Sequence, residues 1–285
     1  MTSHGAPYST IGDALCDKPR QLLRNFRKAV GLPASPTVGK LANLLIALRD
    51  AVESRLGQKI YGAVGTIPHL VGLYREDLED AFEHAGLLYI NTHPYYRYDY
   101  HHDEYLSENG AVYAGNGLGL CTNYTDLDSC DEVEKNPPPS SGRAEMILFI
   151  SYTETMLTST LTQRRMGFAI STSDENRITN LTLGWDRRDK YDGEYWATVK
   201  EAIMEPVQSR NAYLPVDVKA VILYGEYVLD LQFQIVLKEA IRELFPQGMP
   251  ILSRHPVYSA ARGAAEMAKR VWWRYNHTAK PLQKR

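Results

Sequence analysis

The feature that most constrains the fold is the stretch from Asp217 to Arg270, which predicts one strand followed by two helices. Val218 to Tyr224 is a mostly apolar run that ends at Gly225, as a buried strand would. Apolar residues then recur at helical spacing at Leu231, Ile235, Leu237, Ile241 and Leu244. His255-Pro256 opens the second helix, whose small residues would let it pack close to a sheet: Ala260, Ala261, Gly263, Ala264 and Ala265.

The N-terminal third predicts three helices and a strand. Lys18 to Val30 is a short basic amphipathic helix, which could lie on a membrane surface. We favour packing of its apolar face on the protein body, with the basic face in water. A longer helix from Thr37 to Leu56 precedes the strand Ile60 to Ile67 and the helix Tyr74 to Ala85. The apolar stripe of the longer helix is predicted as Leu41, Leu44, Leu45, Leu48, Val52 and Leu56, with Gly57 as its stop.

The middle and the end of the chain alternate loops with strands. Cys121 to Arg143 is acidic and then rich in Pro and Ser, which predicts an exposed loop. Strands are predicted at Glu145 to Ile150, Met166 to Ser171 and Arg177 to Leu183. Asp192 to Val207 is predicted as a helix with Trp196, Val199 and Ile203 inward, and the basic residues after Arg270 as a frayed tail.

Bulk properties exclude several classes of function. The 285 residues carry a net charge of −2 with both signs interspersed, so nothing favours nucleic acid as a partner. No apolar run approaches the length of a membrane span, and the first residues do not have the pattern of a signal peptide. The three cysteines are Cys16, Cys121 and Cys130. Cys121 and Cys130 flank one polar loop and could meet there, but we expect both to be reduced thiols in a cytoplasmic protein.

Two motifs make the chain resemble the actin-like ATPase superfamily, and the Hsp70 nucleotide-binding domain most of all. In that family a strand ends in a Gly-Gly-Ser turn, and a later D-P-x-x-A-x-x-G-A-A helix closes the nucleotide site. The corresponding residues here are Gly225-Glu226-Tyr227 and the helix from His255-Pro256 to Gly263-Ala264-Ala265. The alternative explanation is that this is an Ala-rich core helix of the kind that packs behind any α/β sheet.

An earlier stretch adds a second match. The family has a strand ending T-V-P-A and then a helix ending A-A-x-x-A-G-L. This chain has Thr66-Ile67-Pro68-His69 and then Ala81 to Leu87 (AFEHAGL) at the same spacing. Glu108 to Gly115 stands where the family has its E-P-x-A-A-A helix, with the proline lost.

The phosphate loops that the resemblance implies are missing. The first, D-x-G-T-T, is absent, and the second, D-x-G-G-G-T, should follow the strand that ends at Ile150. Ser151 replaces its Asp, and Thr153-Glu154-Thr155 replace its glycines. These side chains would block close backbone approach, and Glu154 would repel a phosphate. We therefore expect no ATP hydrolysis, no Mg-ATP binding and no cofactor. If ATP did bind, Lys40, Arg164 and Arg165 would be the first phosphate ligands to consider.

The resemblance implies an α/β fold: a truncated actin-like ATPase with two linked lobes and mixed sheets, similar to Hsp70-like proteins of filamentous fungi. The expected parts are an N-terminal segment (1–36), a first lobe (37–142), a second lobe (143–270) and a basic tail (271–285). One hypothesis is a pseudo-ATPase that acts as a binding or scaffold protein for a small molecule or a protein. The alternative is a repurposed cyclase, isomerase or hydrolase, for example of fungal secondary metabolism, that uses the old cleft as a small-molecule pocket.

The candidate site residues follow from these two hypotheses. Acid, base or hydrogen-bonding candidates at the expected cleft are His69, Tyr152, Glu154, Tyr224, Glu226, Tyr227 and Tyr258. Each tyrosine could equally be a packing residue with a wet hydroxyl. The degenerate nucleotide positions are Ser151, Gly225 and Gly263. A Tyr/His cluster contains metal-ligand types in a spacing that fits no standard motif, so loop packing is favoured over a metal: His93, Asp99, His101, His102, Asp103 and Glu104.

Overall fold

A computed structural model describes residues 11–68, 73–90, 106–121, 123–126, 145–164, 167, 176–189, 194–209 and 217–278. Within these ranges the chain belongs to the α/β class with mixed sheets. It divides into two compact units, Met1–Glu108 with Met267–Arg285, and Asn109–Glu266. The sequence placed the boundary after residue 142. The observed boundary is earlier because Val112 and Tyr113 pack on Ile147 and Phe149 of the second unit.

Three helices dominate the first unit: α1 (Ile11–Ala29), α2 (Pro36–Leu56) and α3 (Arg75–His84). The Oγ of Ser35 caps α2 by accepting a hydrogen bond from the backbone N–H of Val38 at 3.2 Å. Gly57 ends α2 in the left-handed conformation, at a φ of 65°. Val38 and Ala42 of α2 pack on Ala81 of α3 in a small core.

The described part of the first unit also has four short strands: β1 (Gly62–Ala63), β2 (Thr66–Ile67), β3 (Leu88–Tyr89) and β4 (Leu106–Ser107). β1 pairs with β3, and β2 with β4, both in parallel. The single strand predicted from Ile60 to Ile67 is therefore wrong, because the chain changes partner between Ala63 and Thr66. The first predicted sheet is two separate two-stranded sheets.

The second unit is organised around one five-stranded sheet. Its strands are β5 (Glu145–Tyr152), β6 (Leu157–Arg164), β7 (Asn176–Asn180), β8 (Val218–Tyr224) and β9 (Ile251–Leu252), in the order β7-β6-β5-β8-β9. β6 is antiparallel to β5 and β7, whereas β8 is parallel to β5 and β9. The prediction that Glu145 to Ile150 and Val218 to Tyr224 share a sheet is confirmed.

Helices cover both faces of this sheet: α4 (Glu108–Gly115), α5 (Tyr195–Gln208), α6 (Leu231–Leu244) and α7 (Ser259–Thr278). Alternate residues of β5 point to opposite faces. Leu148 and Ile150 pack with α5 and α6, whereas Ile147 and Phe149 pack with α4. Among the described residues, no helix is long and apolar enough to cross a membrane.

Several predicted elements need correction. The frayed tail predicted after Arg270 is wrong as far as Thr278, because α7 continues to Thr278 and Val271 is buried. In α6 the buried residues are Phe233, Val236, Leu237, Ala240 and Ile241, whereas Leu231 and Ile235 of the predicted stripe are exposed. β6 was not predicted, and the strand predicted at Met166 to Ser171 lies outside the described residues except for Gly167. Ala261 and Ala265 of the predicted small face of α7 are exposed, whereas Gly263 and Ala264 are buried.

Candidate functional site

The carboxyl ends of β5 and β8 lie side by side, and at such an edge α/β sheets usually bind ligands. Of the predicted site residues that the structure describes, Glu154, Gly225, Glu226 and Tyr227 lie in the turns that follow these two strands, and Ser151, Tyr152 and Tyr224 end the strands themselves. The turn after β5 contains Thr153 to Met156, and the turn after β8 contains Gly225 to Asp230. We refer to these two turns, with residues 184–188 beside them, as the β5–β8 edge.

Backbone hydrogen bonds close the turn between β5 and β6. The N–H of Thr153 donates to the carbonyl of Met156 at 3.0 Å. The carbonyls of Thr153 and Glu154 accept from the N–H groups of Trp185 and Asp186, each at 3.0 Å. Gly184 lies so close to this turn that a Cβ there would overlap the backbone of Thr155. Residues 184–186 therefore cover the turn that stands where the resemblance places the second phosphate loop.

Tyr152 is a core residue rather than a surface acid or base. It is fully buried, stacks on Phe233 at 4.3 Å between ring centroids, and its hydroxyl lies 3.0 Å from that of Tyr195. The Tyr195 hydroxyl donates to the carbonyl of Gly184 at 2.8 Å. Burial, and then the contact with Tyr195, raises the pKa of Tyr152, so its proton is held. The packing alternative fits this tyrosine, and Ser151 beside it is also buried.

The β5–β8 edge contains an aromatic stack. The rings of Trp185 and Tyr227 stack at 4.3 Å, and the guanidinium of Arg188 lies 3.4 Å from the centroid of the Trp185 ring. The buried Nε1 of Trp185 has no hydrogen-bond partner among the described residues. Sequence reasoning missed Trp185 and Arg188, although the run Gly184-Trp185-Asp186-Arg187-Arg188 was visible as an aromatic among charges.

The other predicted residues are spread between core and solvent. Tyr224 is buried and donates a hydrogen bond to Oδ1 of Asn109 at 3.1 Å. Glu154, Glu226 and Tyr258 are exposed, and their side chains make no hydrogen bond within the described residues. Arg164 is buried and Lys40 is exposed.

Gly225 and Gly263, the degenerate nucleotide positions, are both close-approach glycines. Gly225 has a φ of 109°, and a Cβ there would lie 2.6 Å from the carbonyl oxygen of Tyr152. A Cβ on Gly263 would overlap the carbonyl of Ala111 in α4. The close partner of Gly263 is therefore a helix, and the predicted contact with a sheet is corrected.

Some predicted residues cannot be placed. The following lie outside the described residues: His69, the Tyr/His cluster (His93, Asp99, His101, His102, Asp103 and Glu104), Arg165 and Cys130. Within the part of the chain that is described, no group of three or more His, Cys, Asp or Glu side chains is placed to hold a metal ion.

Cys121 corrects a prediction about redox state. It forms a disulfide in the structure, whereas the sequence led us to expect a free thiol. Cysteine spacing alone gave no preference between the two states, and the expected cytosolic setting decided the prediction.

Comparisons with known proteins identify no family: no protein-family model matches the chain, and no curated protein matches it.

Proposed function

We propose that this chain is a non-hydrolysing relative of the actin-like ATPases, of the Hsp70-like kind, that acts as a binding or scaffold protein. The observation that carries the proposal is the β5–β6 turn. An antiparallel hairpin stands at the place where the resemblance puts the second phosphate loop, and β8 with its Gly225 turn runs beside it. The turn therefore fits a phosphate-loop hairpin in its strand pairing, whereas its Thr153 N–H group donates to Met156 and is not open to a phosphate.

The backbone at this turn leaves little for a phosphate to bind. A phosphate loop works by presenting free backbone N–H groups to the anion. Here the N–H of Thr153 is bonded to Met156, and the chain at Gly184 to Asp186 lies directly on the turn. The exposed carboxylate of Glu154 adds negative charge at the turn, which disfavours an anion further.

Calorimetry with Mg-ATP tests the proposal. We expect no saturable heat up to millimolar nucleotide, because each lost charge-assisted hydrogen bond costs about 1.5–3 kcal/mol and each 1.4 kcal/mol is about tenfold in affinity. The double variant Glu154→Gly, Thr155→Gly is expected not to restore binding, since residues 184–186 still cover the turn. Micromolar binding by the natural chain would overturn the proposal.

The alternative of a repurposed enzyme gains no specific support at this edge. Tyr152 is buried, and no hydrogen bond within the described residues orients Glu154, Glu226 or Tyr258. The binding or scaffold function is therefore the one that we propose.

The predicted cytoplasmic location is not part of this proposal. A disulfide at Cys121 is a bond that a reducing cytosol disfavours. The mass of thiol-blocked protein before and after reduction decides the point: a fully blocked Cys121 in freshly isolated protein would support the cytoplasmic location again.

A further inference from the structure

Helix α1 is attached to the first unit by its charged side chains. The guanidinium of Arg24 donates to Asp77 at 2.7 Å and to Asp80 at 2.5 Å, and the ammonium of Lys28 pairs with Asp80 at 2.7 Å. Arg20 pairs with Glu76. Only 6% of the Arg24 side chain is exposed, so these pairs are largely shielded from water. Between Asp17 and Ala29, the residues that α1 buries are Asp17 and Arg24.

The apolar side of α1 is consequently left in solvent. This is the reverse of the expected orientation, in which the apolar face packs on the body and the basic face is solvated. We call the following set, on α1 and the residues just after it, the apolar face of α1: Leu22 (69% exposed), Leu23 (59%), Phe26 (65%), Val30 (55%) and Leu32 (48%). Such a contiguous set of exposed large apolar side chains marks an interaction surface.

Helix α2 in the same unit has a second uncovered apolar surface. Its Val38 and Ala42 pack on α3, and beside them a row repeats an apolar residue at every fourth position. We call this set the leucine stripe of α2: Leu44 (57% exposed), Leu48 (55%), Val52 (42%) and Leu56 (59%). The apolar stripe of a helix typically faces a core, so this uncovered extension of the packed side is suited to be covered.

Charge argues against a lipid surface as the occupant. Helices that lie on anionic membranes keep Lys and Arg free on their polar side. Five basic residues lie between Lys18 and Lys28, and α3 carries an equal number of acidic residues from Glu76 to Glu83. Arg20, Arg24 and Lys28 are bound to these acidic residues. The pair of helices therefore offers anionic lipid no excess positive charge.

We propose that a second copy of this chain covers both surfaces, with the apolar face of α1 in one copy packed on the leucine stripe of α2 in the other. A two-fold axis repeats any such contact reciprocally, so one pairing covers all four surfaces at once. The net charge of −2 opposes this association only weakly. This inference does not rest on the proposed function.

The available area suits a stable dimer. A specific interface buries about 800 Å² per partner, and the largest apolar patch on an ordinary monomer is about 300–600 Å². Nine large apolar side chains, each 42–69% exposed, supply an area of that order. Phe26 is the one aromatic residue among the nine, and aromatic anchors commonly dominate interface energetics, so we assign it the central position.

The oligomeric state of the full chain tests this proposal. Light scattering and sedimentation at micromolar concentrations are expected to give twice the chain mass of 32.3 kDa. Phe26→Glu and Leu48→Glu are each expected to halve that mass while the circular dichroism spectrum is retained. Leu231→Glu, which places the same charge at a 77% exposed leucine of α6, is the matched control and should remain dimeric. A natural chain that stays monomeric at these concentrations overturns the proposal.

Two further measurements identify which surfaces meet. Copies carrying Phe26→Cys, mixed with copies carrying Leu48→Cys, are expected to form a 26–48 cross-link with a short bifunctional thiol reagent. A 26–26 link in the first variant alone would instead place α1 on α1 and overturn the pairing. Binding of the natural chain to phosphatidylserine-containing vesicles, abolished by Phe26→Glu, would show that lipid is the occupant and overturn the second copy.

Discussion

Two buried tyrosine hydroxyls in the second unit make the stability of the chain depend on pH. Tyr152 and Tyr195 share a hydrogen bond inside the core, and burial raises the pKa of both phenols. The folded chain therefore keeps these protons above pH 10, where an unfolded tyrosine loses its own. A raised folded pKa gives stability that is complete below about pH 10 and is lost as the pH rises further.

We predict that the free energy of unfolding falls above about pH 10, by up to about 1.4 kcal/mol per pH unit for each buried tyrosine. Tyr152→Phe should make this fall shallower, since Tyr152 then no longer titrates beside Tyr195 and Tyr113, whose pKa values burial also raises. Denaturant titrations between pH 8 and pH 11 measure the slope. Tyr258→Phe removes an exposed hydroxyl and serves as the control with an unchanged slope. Equal slopes for Tyr152→Phe and the natural chain would contradict the assignment.

At the scale of elements, α4 and α7 approach each other through glycines. A Cβ on Gly115 would overlap the backbone of Ser259, and a Cβ on Gly263 would overlap that of Ala111. Gly263→Ala should therefore destabilise the chain by about 1–3 kcal/mol, although Gly→Ala inside a helix ordinarily stabilises. Thermal and denaturant unfolding measure the change. Ala265→Leu, at an exposed position of the same helix, should stay within about 0.5 kcal/mol.

Periodicity predicted the elements better than it predicted their buried sides. The bounds of β8 and α6 agree with the pattern, because strand and helix periods are local properties. In α6, however, Leu231 is exposed and Phe233 is buried, and α2 exposes Leu44 where Ala42 is covered. Which apolar residues are covered depends on neighbours distant in sequence, and local spacing does not contain that information.

The same limit explains the inverted α1 and the missed site residues. Pairing of Arg24 with Asp77 and Asp80 spans more than 50 positions, so the basic pattern of α1 could not reveal its partner. Trp185 meets Tyr227 only through tertiary packing, and Thr153 meets Trp185 in the same way. The site prediction named residues in the two turns that follow β5 and β8, which are parallel and end at one edge of the sheet. It could not identify what covers them.

At the scale of the whole molecule, the second unit has the features of a domain that folds independently. Asn109–Glu266 is continuous in sequence and holds the five-stranded sheet with apolar cores on both faces. About 160 residues bury roughly 70% of the surface that their unfolded chain exposes, enough for independent folding. The first unit is discontinuous in sequence, so it cannot be excised as one segment.

We predict that residues 109–266 fold as an isolated fragment. The cut after Glu266 leaves the first turns of α7, and the crossing of Gly263 on Ala111 keeps them in place. A cooperative denaturant transition and a native-like near-ultraviolet spectrum are the expected results. A matched fragment, 109–254, lacks this part of α7 and uncovers Val112 and Tyr113 next to Ala260, so it should unfold at lower denaturant. Because every residue of both apolar cores lies within 109–266, a fragment without a cooperative transition would mean that the two units fold as one.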